Sequence, residues 1–386
     1  MLFNNVAYKA VVSNGLVLDA KGVKMSKRLG NGIDPFLALN KYGTDAVRWY
    51  MLSNANPWDD LRFSWTKVRN EAGEVTSEYS TGIEEVRNKF LGTLYNTYSF
   101  FALYANIDGF DYSEADIPME ERPEIDRWII SFLNSLTKEV DAAFADYDAT
   151  RAARLIQTFV TDHLSNWYVR LCRRRFWKGE QGKDKTAAYQ TLYQCLEWVS
   201  ILMSPIAPFI SDFVFRHLNE VSGRHSVDSV HLSLIPTVNE QHIDKALEER
   251  MALAQNISSM VLALRKRIDM KVRQPLQKIL VPILNPAQKG QIERVKDLIL
   301  SETNVKELEY VSDTSGIVTK SIKPDFKKLG KKLGAKMKAE RKKIAQFSQE
   351  DIRQIERNGT YDLSLDGETY PILLDEVLIH SEDIKG

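Results

Sequence analysis

From Ile83 to about Leu218, apolar residues recur three and four positions apart, the spacing that gathers them on one side of an α-helix. Ile83, Val86, Phe90, Leu94, Tyr98, Phe101 and Leu103 form one stripe, Trp128 to Phe144 a second, Ile156 to Trp177 a third and Tyr189 to Met203 a fourth. Pro205 and Pro208 interrupt the chain before a fifth stripe, Phe209 to Leu218. The breaks between stripes are short, so antiparallel neighbours and a helical bundle are expected, with the aromatic residues of the stripes as core.

On either side of this block the pattern changes. Upstream, Ala10 to Val12 reads as a buried parallel strand ended by Asn14-Gly15, and Leu16 to Met25 as a tight hairpin. Asp34-Pro35 starts a helix that Gly43 stops, and Thr44 is placed to cap a second one carrying Val47, Tyr50 and Met51. Between Asn54 and Gly82 the periodicity decays into what reads as a linker. Downstream, Ser226 to Leu232 is extended, and a long amphipathic helix runs from about Ile243 to Ile268, ended by Pro275. Strands at Gln277 to Leu284, Val305 to Val311, Ile317 to Lys323 and Thr360 to His380, with a helix at Pro286 to Leu300, make the tail α+β. The chain is therefore expected to be mainly α and multidomain, divided as 1–68, 69–235 and 236–386.

Composition narrows the classes. In 386 residues, 44% are hydrophobic and 27% charged, and 52 Lys+Arg balance 52 Asp+Glu. With no net charge, nucleic-acid affinity would come from local patches. No apolar run approaches the roughly 20 residues of a membrane span, and no signal peptide is apparent. Cys172 and Cys195 are too few and too far apart for a disulfide framework or a metal site, and no zinc site is expected. These features suggest a cytoplasmic protein.

The strongest chemical signal is the loop Lys24-Met25-Ser26-Lys27-Arg28-Leu29-Gly30-Asn31. Two ammonium groups with a hydroxyl between them, on a glycine-flanked loop, suit a polyphosphate; a merely solvated Lys/Ser loop is the alternative. Its flanks are distinctive: Tyr8 to Asp19 before it, then Ile33-Asp34-Pro35 and Tyr42-Gly43-Thr44-Asp45-Ala46-Val47-Arg48-Trp49 after it. Together they resemble the KMSKS region of class I aminoacyl-tRNA synthetases, and among them the isoleucyl-tRNA synthetase family. Arg28 stands where the motif has its last serine.

That resemblance implies the end of a Rossmann catalytic domain with its ATP loop in 1–68, a helical anticodon-binding domain in 69–235, and a small α+β domain in 236–386. It implies ATP, accompanied by Mg²⁺, as a ligand of Lys24, Met25, Ser26 and Lys27, with Lys24 and Lys27 catalytic and Lys27 ranked first. It also implies isoleucine and tRNA(Ile) as partners of a larger, monomeric parent. No pair of histidines has the His-x-Gly-His spacing of the family's other ATP signature, and the amino-acid pocket and editing domain are missing, so a carboxyl-terminal fragment, inactive alone, is expected. A valyl- or leucyl-tRNA synthetase fragment and a non-catalytic RNA-binding module are the other readings.

Within the third stripe, Asn166, Arg170, Arg173 and Trp177 follow at i, i+4, i+7 and i+11, beside a buried stripe of Ile156, Val160, Leu164, Trp167 and Leu171. Guanidinium planes, an indole and an amide suit single-stranded RNA bases, whereas cations at a helix carboxyl end also simply answer the dipole. The segment Asn166-Trp167-Tyr168-Val169-Arg170 to Arg173-Arg174-Arg175-Phe176-Trp177 resembles the anticodon-binding domain of isoleucyl-tRNA synthetases. On that ground Asn166, Arg170, Arg173, Arg174 and Trp177 are expected to bind tRNA. For Asp45 and Arg48, an interhelical pair and a tRNA contact are both open. Lys320 to Lys343 holds eleven Lys/Arg against Asp325 and Glu340, either a solvated face or a track along tRNA phosphates.

Overall fold

The computed structural model describes residues 6–178, 182–283, 286–311, 318–325, 328–329, 344, 346–365 and 368–383. It is mostly helical and divides into two compact units, Met1–Ala252 and Leu253–Gly386.

The first unit opens with β1 (Val17–Leu18). The apolar residues before it do not form the expected buried strand: Ala10 and Val12 are exposed and Val11 is 70% exposed. A buried parallel strand needs neighbours at its edges and cover on both faces, and the described residues provide neither there. The hairpin does form, with Asp19 N donating to Val23 O at 2.9 Å and a bridge between Leu18 and Lys24.

Helix α1 (Pro35–Tyr42) starts as its sequence demands, with the Asp34 carboxylate accepting from Phe36 N and Pro35 at the first position. Gly43, at φ 86°, ends it and directly precedes α2 (Thr44–Asn54). One glycine thus serves both helix ends, and Thr44, already inside α2, does not cap it. β2 (Leu61–Arg62) then pairs in parallel with β1. Gly15 is required at this junction, because a Cβ there would run into the Asp59 carbonyl group.

The stretch that reads as a linker contains a hairpin, β3 (Thr66–Arg69) and β4 (Val75–Tyr79), closed by an Asn70 N to Glu74 O hydrogen bond. It escapes periodicity because it has no buried face: all of β3 and most of β4 are exposed.

The helical block follows: α3 (Thr81–Glu85), a π-helical stretch Val86–Leu91, α4 (Gly92–Asp108), α5 (Glu124–Ala145), α6 (Ala149–Thr158), a second π-helical stretch Phe159–Val169, α7 (Arg170–Trp177), α8 (Lys183–Met203) and α9 (Pro208–Ser222). Ile83, Val86, Phe90, Leu94 and Phe101 are buried as the first stripe predicts, but Leu103 is 55% exposed. Two residues beyond Phe101 at about 100° each, it faces away from the core. In the third stripe Ile156, Val160, Leu164 and Trp167 are buried and Leu171 is half-buried. Trp49 tilts over Phe90 at 4.4 Å and donates to Gln157 Oε1, tying α2 into the block.

A buried polar cluster crosses the bundle. Asp126 accepts from Arg175 Nη1 at 2.6 Å, Arg175 Nη2 at 2.8 Å and the Tyr168 hydroxyl at 2.8 Å. Burial pushes the Tyr168 hydroxyl well above its usual range, so it stays a donor. Both cysteines are buried thiols, and burial pushes that of Cys172 up to about 12.

α10 (Lys245–Arg267) begins in this unit, where Glu248 accepts from Ser131 and Ser135 of α5. Before it, Val230–Leu232 is a 3₁₀ turn, not an extended link, because Ser229 caps it by accepting from His231 N.

In the second unit β5 (Leu276–Pro282) is followed by α11 (Pro286–Arg294), α12 (Lys296–Thr303) and β6 (Val305–Val311). β5 and β6 pair in parallel, the arrangement a helical crossover permits. The single helix expected at Pro286 to Leu300 is two, parted at Val295. β7 (Val318–Pro324), α13 (Gln349–Asn358), β8 (Thr360–Leu365), β9 (Glu368–Leu373) and β10 (Val377–Asp383) complete the unit. β10 pairs antiparallel with β7 and β8 with β9, around a core of Ile322, Leu329, Ile344, Ile352, Ile355, Leu363, Ile372 and Val377.

Candidate phosphate loop and nucleic-acid face

The loop after β1 is held at its base by two side chains. Asp19 Oδ1 accepts from Lys21 N and Val23 N, both at 2.9 Å, which fixes the turn that starts it. Asn31, at its far end, donates to Asp19 Oδ2 at 3.0 Å and to Lys24 O at 3.2 Å, and accepts from Ser26 N at 2.9 Å. Hydrogen bonds from Asn31 and from the Val23 amide hold the Asp19 carboxyl below its usual range, so it is ionised at neutral pH. Between these anchors the Ser26 hydroxyl accepts from Leu29 N at 3.2 Å, leaving its own proton to donate, and Gly30 N donates to Lys27 O. Met25 and Ser26 are half-buried, while Lys24, Lys27 and Arg28 are exposed and have no carboxylate partner among the described residues. The result is a short, tied loop presenting three cations and a hydroxyl, an arrangement suited to a polyphosphate.

Asp19 and Asn31 carry no expected role in the sequence reading. The available signals were an Asp three residues before Gly22 and an amide between Gly30 and Gly32. Asn31 makes three hydrogen bonds of roughly 1 kcal/mol each, so Asn31→Ala is expected to speed tryptic cleavage after Lys24, Lys27 and Arg28 about tenfold. A cleavage time course read by mass spectrometry checks this; the sites outside the loop should keep their rates.

The second group lies on the π-helical stretch and α7. Asn166, Arg170, Arg173, Arg174 and Trp177 are all exposed, Trp177 by 54%. The Arg170 guanidinium lies 5.7 Å from the buried Trp167 ring centroid and that of Arg173 5.9 Å from the Phe100 ring centroid, contacts that restrain both side chains at the surface. Arg174 has no ion pair among the described residues. Arg175, in the same triplet, is instead a structural residue, bonded to Asp126 and to Asp184. Asn166 also borders an open cleft of about 620 Å³, with Asn88, Thr93, Gln157 and Thr161. Phe100 is the member the sequence did not point to, being one aromatic among many on α4.

Asp45 and Arg48 are interhelical bolts. Arg48 Nε donates to Ile206 O at 2.8 Å and Nη2 to Pro205 O at 3.1 Å, while Asp45 accepts from Ile210 N at 2.7 Å at the start of α9. Of the basic run Lys320 to Lys343, most lies outside the described residues; Lys320 pairs with Glu356 and Lys328 with Asp375. Among the described residues no three His, Cys, Asp or Glu are grouped to hold a metal, and no helix is long and apolar enough to cross a membrane.

Two family profiles match. Residues 1–64 match the class I tRNA synthetases for isoleucine, leucine, methionine and valine, and residues 126–280 match the anticodon-binding domain of tRNA ligases. An isoleucine–tRNA ligase from Bacteroides thetaiotaomicron is 55% identical over 386 residues, which is 100% of this chain and 32% of the relative. That of Cytophaga hutchinsonii is 56% identical, covering 100% and 33%, and that of Thermus thermophilus 36% identical, covering 100% and 36%. The chain is homologous to isoleucine–tRNA ligases. It spans about a third of the length of the curated relatives it matches. A solved leucyl-tRNA synthetase chain from Agrobacterium radiobacter overlaps it with a TM-score of 0.44 at 22% identity, covering 60% of this chain and 24% of that one. In the isoleucine–tRNA ligase homology, the synthetase profile takes in the tied loop with α1 and α2, and the anticodon-binding profile takes in the exposed arginine face.

Proposed function

We propose that this chain supplies the ATP loop and the tRNA-binding region of an isoleucine–tRNA ligase. The ligase joins isoleucine to ATP as the aminoacyl-adenylate, with pyrophosphate leaving, and then transfers isoleucine to tRNA(Ile). The observation that carries the reading is whole-chain identity of 52–56% to isoleucine–tRNA ligases. On this reading residues 1–68 close the catalytic domain, 69–235 bind the anticodon region and 236–386 form a carboxyl-terminal domain of a monomeric, cytoplasmic enzyme.

Lys24 and Lys27 hold the β- and γ-phosphates and stabilise the charge that grows on the departing pyrophosphate. Ser26 donates its hydroxyl proton, and Met25 lines the loop with its backbone. Lysine suits this task because its charge is compact and its three donors turn freely to follow oxygens that move during the reaction. On this reading Mg²⁺ would accompany the ATP phosphates and supply further positive charge against them.

Asn166, Arg170, Arg173, Arg174 and Trp177 hold the anticodon region: the indole and guanidinium planes stack on unpaired bases and the amide reads a base edge. Charge reversal of Arg170 and Arg174 is expected to weaken binding of tRNA(Ile) by about tenfold or more, and that of an unrelated tRNA by less. Fluorescence anisotropy with both labelled tRNAs checks this, and an equal loss for both would reduce the face to an unspecific cationic patch.

A further inference from the structure

The carboxyl end of α10 carries a structural expense that core packing does not explain. Arg265 is 2% exposed and has no carboxylate partner among the described residues; its guanidinium donates to backbone carbonyls, from Nη1 to Gln274 O at 2.9 Å and Lys271 O at 3.2 Å, and from Nη2 to Asn304 O at 3.1 Å. Burying a guanidinium without a counter-charge is costly, and the three carbonyls it holds offset part of that cost while being fixed by it. They belong to the loop Ile268 to Pro275 and to the residue before β6.

The same loop is held in other ways. Met270 N bonds to Arg265 O and Asp269 N to Lys266 O, a Schellman closure of the helix with Asp269 in the left-handed position at φ 53°. A non-glycine residue there adds a further cost. Asn304 donates to Val272 O at 2.8 Å, and Gln274 N to Lys271 O.

This tied loop displays mainly positive charge. Lys266, Arg267, Lys271 and Arg273 are exposed within eight residues, together with Ile268 and Val272, at 64% and 42%. Asp269 is the one carboxylate in the span, and it pairs with Lys271 at 2.8 Å. Lys266 and Arg273 have no partner among the described residues. Like charges crowded on a fixed loop repel one another, a cost removed when phosphates sit between them.

We infer that the loop from Lys266 to Arg273 is a second RNA contact, binding the phosphodiester backbone of tRNA without reading sequence, and that Arg265 is its positioning residue. This rests on the tRNA-binding reading and extends it to a surface that no base-stacking side chain marks. The ligand is a polyanion held at spaced cations, and the exposed Ile268 and Val272 suit contact with sugar faces.

The test measures binding of the full chain to labelled tRNA(Ile) by anisotropy at salt concentrations spanning about 50–200 mM, where phosphate contacts dominate the salt response. The double variants Lys266→Glu/Arg273→Glu and Lys266→Gln/Arg273→Gln are compared with wild type, each with its unfolding midpoint checked. The inference predicts that the glutamine pair lowers the log–log salt slope by about 2, near 0.9 per phosphate contact, and that the glutamate pair weakens binding at least tenfold, for tRNA(Ile) and unrelated tRNA alike. Unchanged affinity and slope, while charge reversal at Arg170 and Arg174 still weakens binding, overturns this inference and leaves the tRNA reading standing. Loss of binding to phosphatidylserine vesicles with unchanged tRNA binding overturns it in favour of a membrane surface. A wild-type chain that binds no tRNA overturns both.

Discussion

Lys27→Ala is expected to lower isoleucine-dependent ATP–pyrophosphate exchange by a factor of about 10²–10³ when the remainder of a homologous ligase is supplied in trans. One preorganised charged donor aimed at charge that develops in the transition state is worth roughly 3 kcal/mol or more. Because that charge grows only as pyrophosphate departs, the loss should fall mainly on kcat, with the KM for ATP moving much less. Lys24→Ala should show the same pattern to a smaller extent. Lys27 sits at the loop's turn, where its carbonyl accepts from Gly30 N, while the Lys24 carbonyl is already fixed by Asn31. Arg28, exposed beside Lys27, is not expected to compensate, since a broad guanidinium does not replace a compact ammonium at a moving oxygen. Exchange kinetics at several ATP concentrations separate kcat from KM, and a Lys27→Ala enzyme as active as its parent would remove the lysine from the chemistry.

The second large effect is on stability. Asp126→Ala should destabilise the first unit by about 3–5 kcal/mol, because it strips the half-buried Arg175 of its bidentate partner and the buried Tyr168 hydroxyl of its acceptor. Asp184 remains beside Arg175 but is largely exposed and replaces little of that bond. At roughly 2–4 °C per kcal/mol for a unit of this size, the thermal midpoint falls by about 10 °C. Arg174→Ala, one position before Arg175, should cost less than about 0.5 kcal/mol, since its side chain is exposed and makes no ion pair among the described residues. Thermal unfolding followed by circular dichroism reads both. A pair of equal shifts would mean that the structural and surface arginines have been exchanged.

That contrast shows where sequence reading succeeds and where it stops. Helical periodicity located the bundle because most of its helices bury one face, as Ile83, Phe90, Leu94 and Ile156 show, whereas α8 is buried nearly all round. It missed the hairpin of β3 and β4 because those strands bury nothing, and it placed a strand at Ala10 to Val12 because three small or branched apolar residues look alike whether or not a sheet receives them. Adjacent arginines are equivalent in sequence, yet Arg175 meets Asp126, a residue 49 positions away, and Arg174 meets solvent. The loop lysines drew notice by their own spacing and flanks, and the structure leaves both exposed on the tied loop. The Asp19–Asn31 tie was not, because a hydrogen bond across 12 positions leaves no periodic trace. Helix starts followed local chemistry at Asp34-Pro35, but Gly43 displaced Thr44 once two helices shared one residue as their boundary.

The most direct measurement of the central claim is amino-acid-dependent ATP–pyrophosphate exchange by this chain reconstituted with the remainder of a homologous ligase, assayed with isoleucine, valine and leucine in parallel and with the chain omitted as control. The account predicts exchange that requires this chain and is fastest with isoleucine. Exchange that proceeds equally well without the chain, or no exchange with any of the three amino acids from a complex shown to assemble, would contradict it.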